Sequence, residues 1–298
     1  MPQPGLRALF LTLSTSLLFG CPASAPPASR FPSADAALKR LHDTQACGTG
    51  VHASAKIDHF GQDGRVRVAM LLFASSPASL HLDAVSPFGI ALATLTANRE
   101  SFALADLREK RFFVGPAEPC NIARLTQVPI PGHALVSLLR GDAPVLQHSA
   151  GTILWQHGRY EIDLPGNRDS SEQVWLDVHP DDRAKPWSEQ RVRLRGVTVR
   201  QFDGVLYRAT LDDHAPAEMS KPREDPDGLP GELAERLPPS GPECHAELPR
   251  NVHVEVPAGK SDLLLRYDEV AWNPPLPPGV FEQQNPGGLA RTEVGCAR

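Results

Sequence analysis

Five cysteines, at positions 21, 47, 120, 244 and 296, are the residues of this chain best equipped for covalent or metal chemistry. Their spacing argues against a zinc site: no two lie within the two-to-four-residue gap that a ligand pair needs, and Cys244 adjoins His245 directly. Hydrolytic and redox signatures are missing as well. The sequence has no G-x-S-x-G elbow, no H-E-x-x-H, no glycine-rich dinucleotide turn and no EF-hand loop. Gly259-Lys260-Ser261 has the form of the end of a phosphate-binding loop, but the first glycine that motif requires falls on Val254, inside a predicted strand. The eleven histidines are scattered without ligand spacing, and His59 and His157 read as surface or turn residues. The expectation is a non-enzymatic protein with no catalytic residues, no metal and no cofactor.

The N-terminus carries a different chemistry. Arg7 precedes an uncharged, mostly apolar run of twelve residues, Ala8 to Phe19, too short for a membrane span, which takes about 20. It reads as the core of a signal peptide over residues 1–20. Leu18-Phe19-Gly20-Cys21 resembles a bacterial lipobox, with Phe19 bulkier than usual there. That resemblance implies that Cys21 is acylated and becomes the mature N-terminus, and several acyl chains hold a protein on a membrane where one does so only marginally. Residues 21–32, small, polar and proline-rich, are then expected to be an extended tether. Export places Cys47, Cys120, Cys244 and Cys296 in an oxidising compartment, where two disulfides are expected. Four cysteines allow three pairings, which the sequence leaves open. Cys47–Cys120 with Cys244–Cys296 is the preferred one, because each bond would tie an edge or insertion to neighbouring chain.

The bulk composition narrows the class further. Thirty Lys and Arg against 35 Asp and Glu give a formal charge of −5, and without clustered cations nucleic acid is not an expected partner. Hydrophobic residues make up 41% of the 298, enough for a sizeable core. Thirty prolines are about twice the usual share of ~5%, and they are unevenly placed. Residues 213–249 hold eight in 37, whereas 33–212 hold only ten. The first span therefore reads as a loop-like insertion within a single domain over 33–285, followed by a tail over 286–298.

Within that domain the hydrophobic period sets the elements. Ser33 to Thr44 reads as a capped amphipathic helix with Ala37, Leu38 and Leu41 on one face. From Val51 the period is two. Strands are predicted at 51–60 and 65–74, a hairpin turning at Asp63-Gly64, with Val66, Val68, Met70 and Leu72 on one face of the second. Further strands follow at 80–84, 90–96, 102–107 and 112–114. Residues 118–125 and 132–140 instead show helical spacing, placing Ile122 with Leu125 and Leu135 with Leu138 and Leu139. Strands resume at 152–157, 160–164, 173–178, 191–202, 205–211, 252–256, 262–272 and 280–283. In the longest, Arg191, Arg193 and Arg195 are expected on a solvated face. No strand–helix–strand alternation occurs, so the sheet is expected to be antiparallel.

Ser86-Pro87-Phe88-Gly89, then Phe102-Ala103-Leu104-Ala105-Asp106, Phe113-Val114-Gly115, Val128-Pro129-Ile130-Pro131 and Leu138-Leu139-Arg140-Gly141-Asp142-Ala143-Pro144 follow in order. This succession resembles the outer-membrane lipoprotein receptor LolB and its relatives in the LolA/LolB-like lipoprotein localisation superfamily, closely over residues 82–144. The resemblance implies a mainly β fold: a curved antiparallel incomplete β-barrel of about eleven strands, closed by a helical lid at about 118–140. It implies a monomeric carrier or acceptor at the periplasmic face of the outer membrane, exchanging lipoprotein acyl chains with a periplasmic lipoprotein carrier. It also marks Pro87, Phe88 and Gly89 as a membrane and cargo-transfer loop. Val66, Val68, Met70, Leu72, Leu80, Leu82, Leu104, Ile122, Leu125, Leu135 and Leu139 are the candidate cavity lining. Two other readings stay open: a carrier of another amphiphile, glycolipid or phospholipid, and a structural lipoprotein whose barrel is filled by its own side chains.

Overall fold

The computed structural model describes residues 25–62, 64–219 and 237–296; the expected signal segment, Cys21 and the middle of the proline-rich insertion lie outside them. Ser33 accepts a hydrogen bond from the Ala36 N–H and starts helix α1 (Ala34–Gln45), which buries Ala37, Leu38 and Leu41 as the pattern predicts. Six strands follow: β1 (Gly50–Gly61), β2 (Gly64–Ser75), β3 (Ser79–Val85), β4 (Ala91–Ala97), β5 (Ser101–Asp106) and β6 (Arg111–Pro116). Then come helices α2 (Pro119–Thr126) and α3 (Gly132–Leu139). A second set comprises β7 (Thr152–Gln156), β8 (Arg159–Pro165), β9 (Ser170–Val178), β10 (Val192–Gln201), β11 (Gly204–Pro216), β12 (Glu218–Met219), β13 (Glu247–Val256) and β14 (Ser261–Trp272), with β15 (Ala290–Glu293) last.

All belong to one sheet in the order β15-β6-β5-β4-β3-β2-β1-β14-β13-β11-β10-β9-β8-β7, with β12 lying parallel to the end of β14. Apart from that pair and the parallel β15–β6 contact, every pairing is antiparallel. The path among the described strands does not close on itself, and the register shifts at Ser54/Ala55, Ala84/Val85, Leu194/Gly196 and Val199/Arg200 are irregularities of the kind that bend a strand. The result is an open curved sheet. Its inner face carries the alternate apolar residues of every long strand, joined with α1, α2 and α3 into one continuous core. No helix among the described residues is long and apolar enough to cross a membrane.

Several expectations are corrected. Among the described residues the sheet has fifteen strands where the resemblance implies about eleven; β12 and β15 are too short to show an alternation. Residues 280–283 are not a strand; the segment after Trp272 crosses the outer face, where the His81 ring donates to the Val280 carbonyl at 2.6 Å, and the expected tail supplies β15 instead. The tether is not free along its length. Pro27 and Phe31 are buried, Phe31 against Tyr160 and Trp187, and the Ala28 N–H donates to the Arg183 carbonyl. Both ends of the expected 213–249 loop are strand, β11 running to Pro216 and β13 starting at Glu247. The arginine row of β10 and its approach is ion-paired, Arg191 with Asp182, Arg193 with Glu247 and Arg195 with Asp212.

The disulfides are Cys47–Cys244 and Cys120–Cys296, spanning 197 and 176 residues. The preferred pairing failed for a topological reason. Sheet order puts the start of β1 beside β14 and the chain entering β13, and puts β15 beside β6, which leads into α2. Partners are set by strand neighbours, not by distance along the chain.

One buried carboxylate gives this half of the sheet a pH dependence. Glu172 of β9 is 1% exposed; one oxygen accepts the Leu146 N–H at 2.8 Å and the other has no partner among the described residues. Burial pushes its pKa up to about 7. The folded protein thus holds a proton between the unfolded value and about 7 that the unfolded chain releases, so stability falls as pH rises through that window. Glu172→Gln keeps the acceptor and removes the ionisation. It is expected to raise stability at pH 8 by up to ~3 kcal/mol and to leave pH 4 nearly unchanged, read from urea unfolding midpoints.

Candidate functional site

A cavity of about 60 Å³ lies between the inner face of the sheet and the helix pair. Hairpin register builds its floor: Ile57 pairs with Val68 and His59 with Val66, so β1 and β2 present these four on one side. Met70 and Leu72 extend the row inward, Leu82 comes from β3, and Leu263, Leu265 and Val254 come from β14 and β13. The roof is Leu125 and Thr126 of α2, Gln127 and Val128 of the link, and Leu135 and Leu139 of α3. Leu72 is fully buried at the inner end, while Val66, beside the β1–β2 turn, is half exposed. The mouth is therefore at the hairpin end.

Eight of the eleven candidate lining residues meet here: Val66, Val68, Met70, Leu72, Leu82, Leu125, Leu135 and Leu139. Leu80, Leu104 and Ile122 are buried in the surrounding core and do not line it. Ile57 and His59 could have been found from the hairpin register alone. Val254, Leu263 and Leu265 required knowing that β14 pairs with β1, a contact between distant parts of the chain.

The roof is fastened at its two outer ends, and the link between them packs Val128 and Ile130 into the core. At the start of α2, Cys120 is bonded to Cys296, and the fully buried Asn121 side chain donates to the carbonyls of Pro116 and Val294. Gly115 lies so close to the Val294 carbonyl that any side chain there would collide with it. At the end of α3, Tyr267 donates its hydroxyl to the Leu139 carbonyl at 3.0 Å, and the buried Arg140 guanidinium donates to the Gly48 carbonyl through two nitrogens. The link turns at Gln127, which caps α2 in the left-handed region with φ 62°, and then runs through Pro129 and Pro131.

Ser261, at the start of β14, donates to the Gln127 carbonyl at 2.8 Å, and its oxygen lies 3.0 Å from His59 Nε2. With the serine proton committed to Gln127, His59 donates from Nε2 and leaves Nδ1 buried without a partner among the described residues. Desolvation lowers the His59 pKa, so the ring stays neutral. His59 is thus a buried latch residue, against the surface position expected for it, whereas His157 is an exposed turn residue with φ 53°.

The β3–β4 turn lies at the same end of the sheet as the mouth. Its shape is set internally: Ser86 Oγ accepts the N–H groups of Phe88 and Ile90, the Gly89 N–H donates to the Ser86 carbonyl, and Gly89 takes φ +76°. The turn is held without packing its apolar side chains, and Phe88 is 89% and Ile90 66% exposed. Pro87 and Gly89 are exposed beside them. Phe60, at 62%, stands on the neighbouring hairpin. On the outer face, His253, Glu255 and Asp262 bring potential metal-ligating atoms within 4.8 Å of one another, but His253 is bonded to Asp262 and Glu255 to Arg208.

No protein-family model matches the chain, and no curated protein matches it. Solved structures are similar in fold at low sequence identity. A LolA superfamily protein from Nitrosomonas europaea aligns with 84% of this chain and 98% of its own at 10% identity, with a TM-score of 0.48. A DUF1329 family protein from Desulfovibrio piger covers 83% and 97% at 9% identity, with a TM-score of 0.46. A domain described as outer membrane lipoprotein-sorting, from Vibrio parahaemolyticus, covers 83% and 96% at 10% identity, with a TM-score of 0.45.

Proposed function

We propose that this protein is a non-enzymatic acceptor of lipoproteins, tethered through lipid on Cys21 to the periplasmic face of the outer membrane and sheltering acyl chains between its sheet and helix pair. The observation that carries this reading is the apolar cavity between the inner face of the sheet and the helix pair. At about 60 Å³ the cavity is far below the ~300 Å³ of small ligand sites. An acyl chain therefore enters only when the helix pair and its link lift from the sheet, breaking the Ser261 bond and exposing Val128 and Ile130. Each methylene then sheltered gains about 0.8 kcal/mol over water. Exchange between two such cavities is close to neutral, whereas escape into water is strongly opposed, which suits a partner carrier handing over cargo.

The exposed Phe88 turn beside the mouth supplies the step into the membrane, since an unpacked aromatic gains by burial in acyl chains what it cannot gain in the fold. Phe88→Glu is expected to leave the thermal midpoint within a degree or two and to slow delivery of cargo into vesicles at least tenfold, measured as transfer of a labelled lipoprotein. Unchanged delivery would make the turn merely a loop. In cells, depletion of the protein is expected to leave released lipoproteins on the periplasmic carrier; absence of that accumulation would refute the acceptor role.

A further inference from the structure

The outer face of the sheet, on the side away from the helix pair, holds a second and larger concavity of about 540 Å³. Strand alternation gives it an apolar floor: Ala69 of β2, Val85 of β3, Leu92 at the start of β4 and Leu264 of β14. Pro87, the residue before the exposed Phe88, forms part of its wall, so the groove runs straight into the apolar turn. Around this floor stand Lys56, Arg67 and Arg266, with Asp58 as the carboxylate among them.

The charges are not equivalent. Asp58 is already shared by Arg65 and Arg67, and Lys56 reaches Asp268 at 2.8 Å. Arg266 is exposed, and among the described residues its side chain makes no hydrogen bond or ion pair. The cations outnumber the carboxylates, and one guanidinium is left with all its donors free. A guanidinium in that state suits a phosphate, which it binds through two parallel hydrogen bonds. A free phosphate would have no use for the apolar floor, and a peptide strand would add to a sheet edge, not to a face.

We propose that this outer groove binds the headgroup region of an anionic phospholipid, its phosphate on Arg266 and its glycerol and first methylenes on Ala69, Val85, Leu92 and Leu264, in the leaflet that Phe88 and Ile90 enter. The site lies on the opposite face of the sheet from the acyl cavity, with Ile57 and Val68 contributing to both, and needs no cargo. It gives the domain a preference among membranes that an aromatic turn alone lacks.

The test is vesicle flotation of the full chain carrying Cys21→Ala, which removes the lipid anchor. Phosphatidylcholine vesicles with and without phosphatidylglycerol are compared at low salt. The expected result is tighter binding to the anionic vesicles and, for Arg266→Gln, a loss of about fivefold on those vesicles alone, the worth of one cation near an anionic surface. Uptake of a lipophilic probe by the inner cavity should not change, so this proposal and the acceptor reading fail separately. Equal binding to both vesicle types, or no effect of Arg266→Gln, would overturn it. Displacement by inorganic phosphate beyond the effect of matched chloride would also overturn it, by showing that the groove reads the anion and not the lipid.

Discussion

Replacing Val68 by glutamate is expected to abolish uptake of a lipophilic probe, at least a tenfold loss, while the protein stays folded. Val68 stands half-buried between the inner end of the cavity and its half-exposed mouth, opposite Ile57 and under the helix pair. A carboxylate there keeps partial access to water when the cavity is empty, so the cost to the fold is about 1–2 kcal/mol. An acyl chain threading past it would strip that water, and burying an unpaired charge costs several times more. The control is the next residue: Ala69→Glu puts the same charge on the outer face, where Ala69 is exposed, and should leave uptake unchanged. Equal effects of the two substitutions would mean that the probe binds elsewhere.

The largest loss of stability is expected at Asn273, which no sequence motif marks. Its side chain is fully buried at the end of β14. The carbonyl oxygen accepts the Thr49 N–H at 2.8 Å, the Gly50 N–H at 3.3 Å and the Thr49 hydroxyl at 3.0 Å, and the amide donates to the carbonyls of Cys47 and Pro242. One residue thus joins the entry to β1, the exit from β14 and the chain near Cys244, which is covalently tied to Cys47. Asn273→Ala leaves several backbone groups unpaired in the interior and places alanine at φ 49°. Together these cost about 4 kcal/mol, measured by urea unfolding without reductant. Asn273→Gly removes the φ strain and keeps the lost bonds, so it should recover about 1 kcal/mol of that.

Local pattern carried the elements, and remote pairing decided the rest. The Gly61–Gly64 turn and the alternation along β2 placed Val66, Val68, Met70 and Leu72 on one face from their neighbours alone. Likewise, the spacing of Leu125 with Ile122 and of Leu135 with Leu139 was enough to see two short helices. Leu263 and Leu265 carried the same alternation, but nothing local says that β14 closes against β1 some 200 residues earlier. The same blindness produced the wrong disulfide pairing, because proximity along the chain is a poor guide when strand order crosses from β1 to β14. The prolines around Phe31 give it the composition of a tether, and tertiary packing on Tyr160 and Trp187 overrides that composition. A lone histidine such as His59 has no local signal for burial; it is buried only because Ser261 and the α2–α3 link arrive from elsewhere in the chain.

The central claim is that the space between sheet and helix pair opens to take acyl chains. The most direct measurement is native mass spectrometry of the Cys21→Ala chain after incubation with a triacylated lipopeptide, beside the same chain carrying Val68→Glu. The account predicts a one-to-one complex that survives desolvation in the first and is lost in the second, with both proteins showing the charge-state distribution of a folded domain. If the folded Cys21→Ala chain captures no lipopeptide, or if Val68→Glu captures it equally well, the inner cavity is not an acyl-chain site.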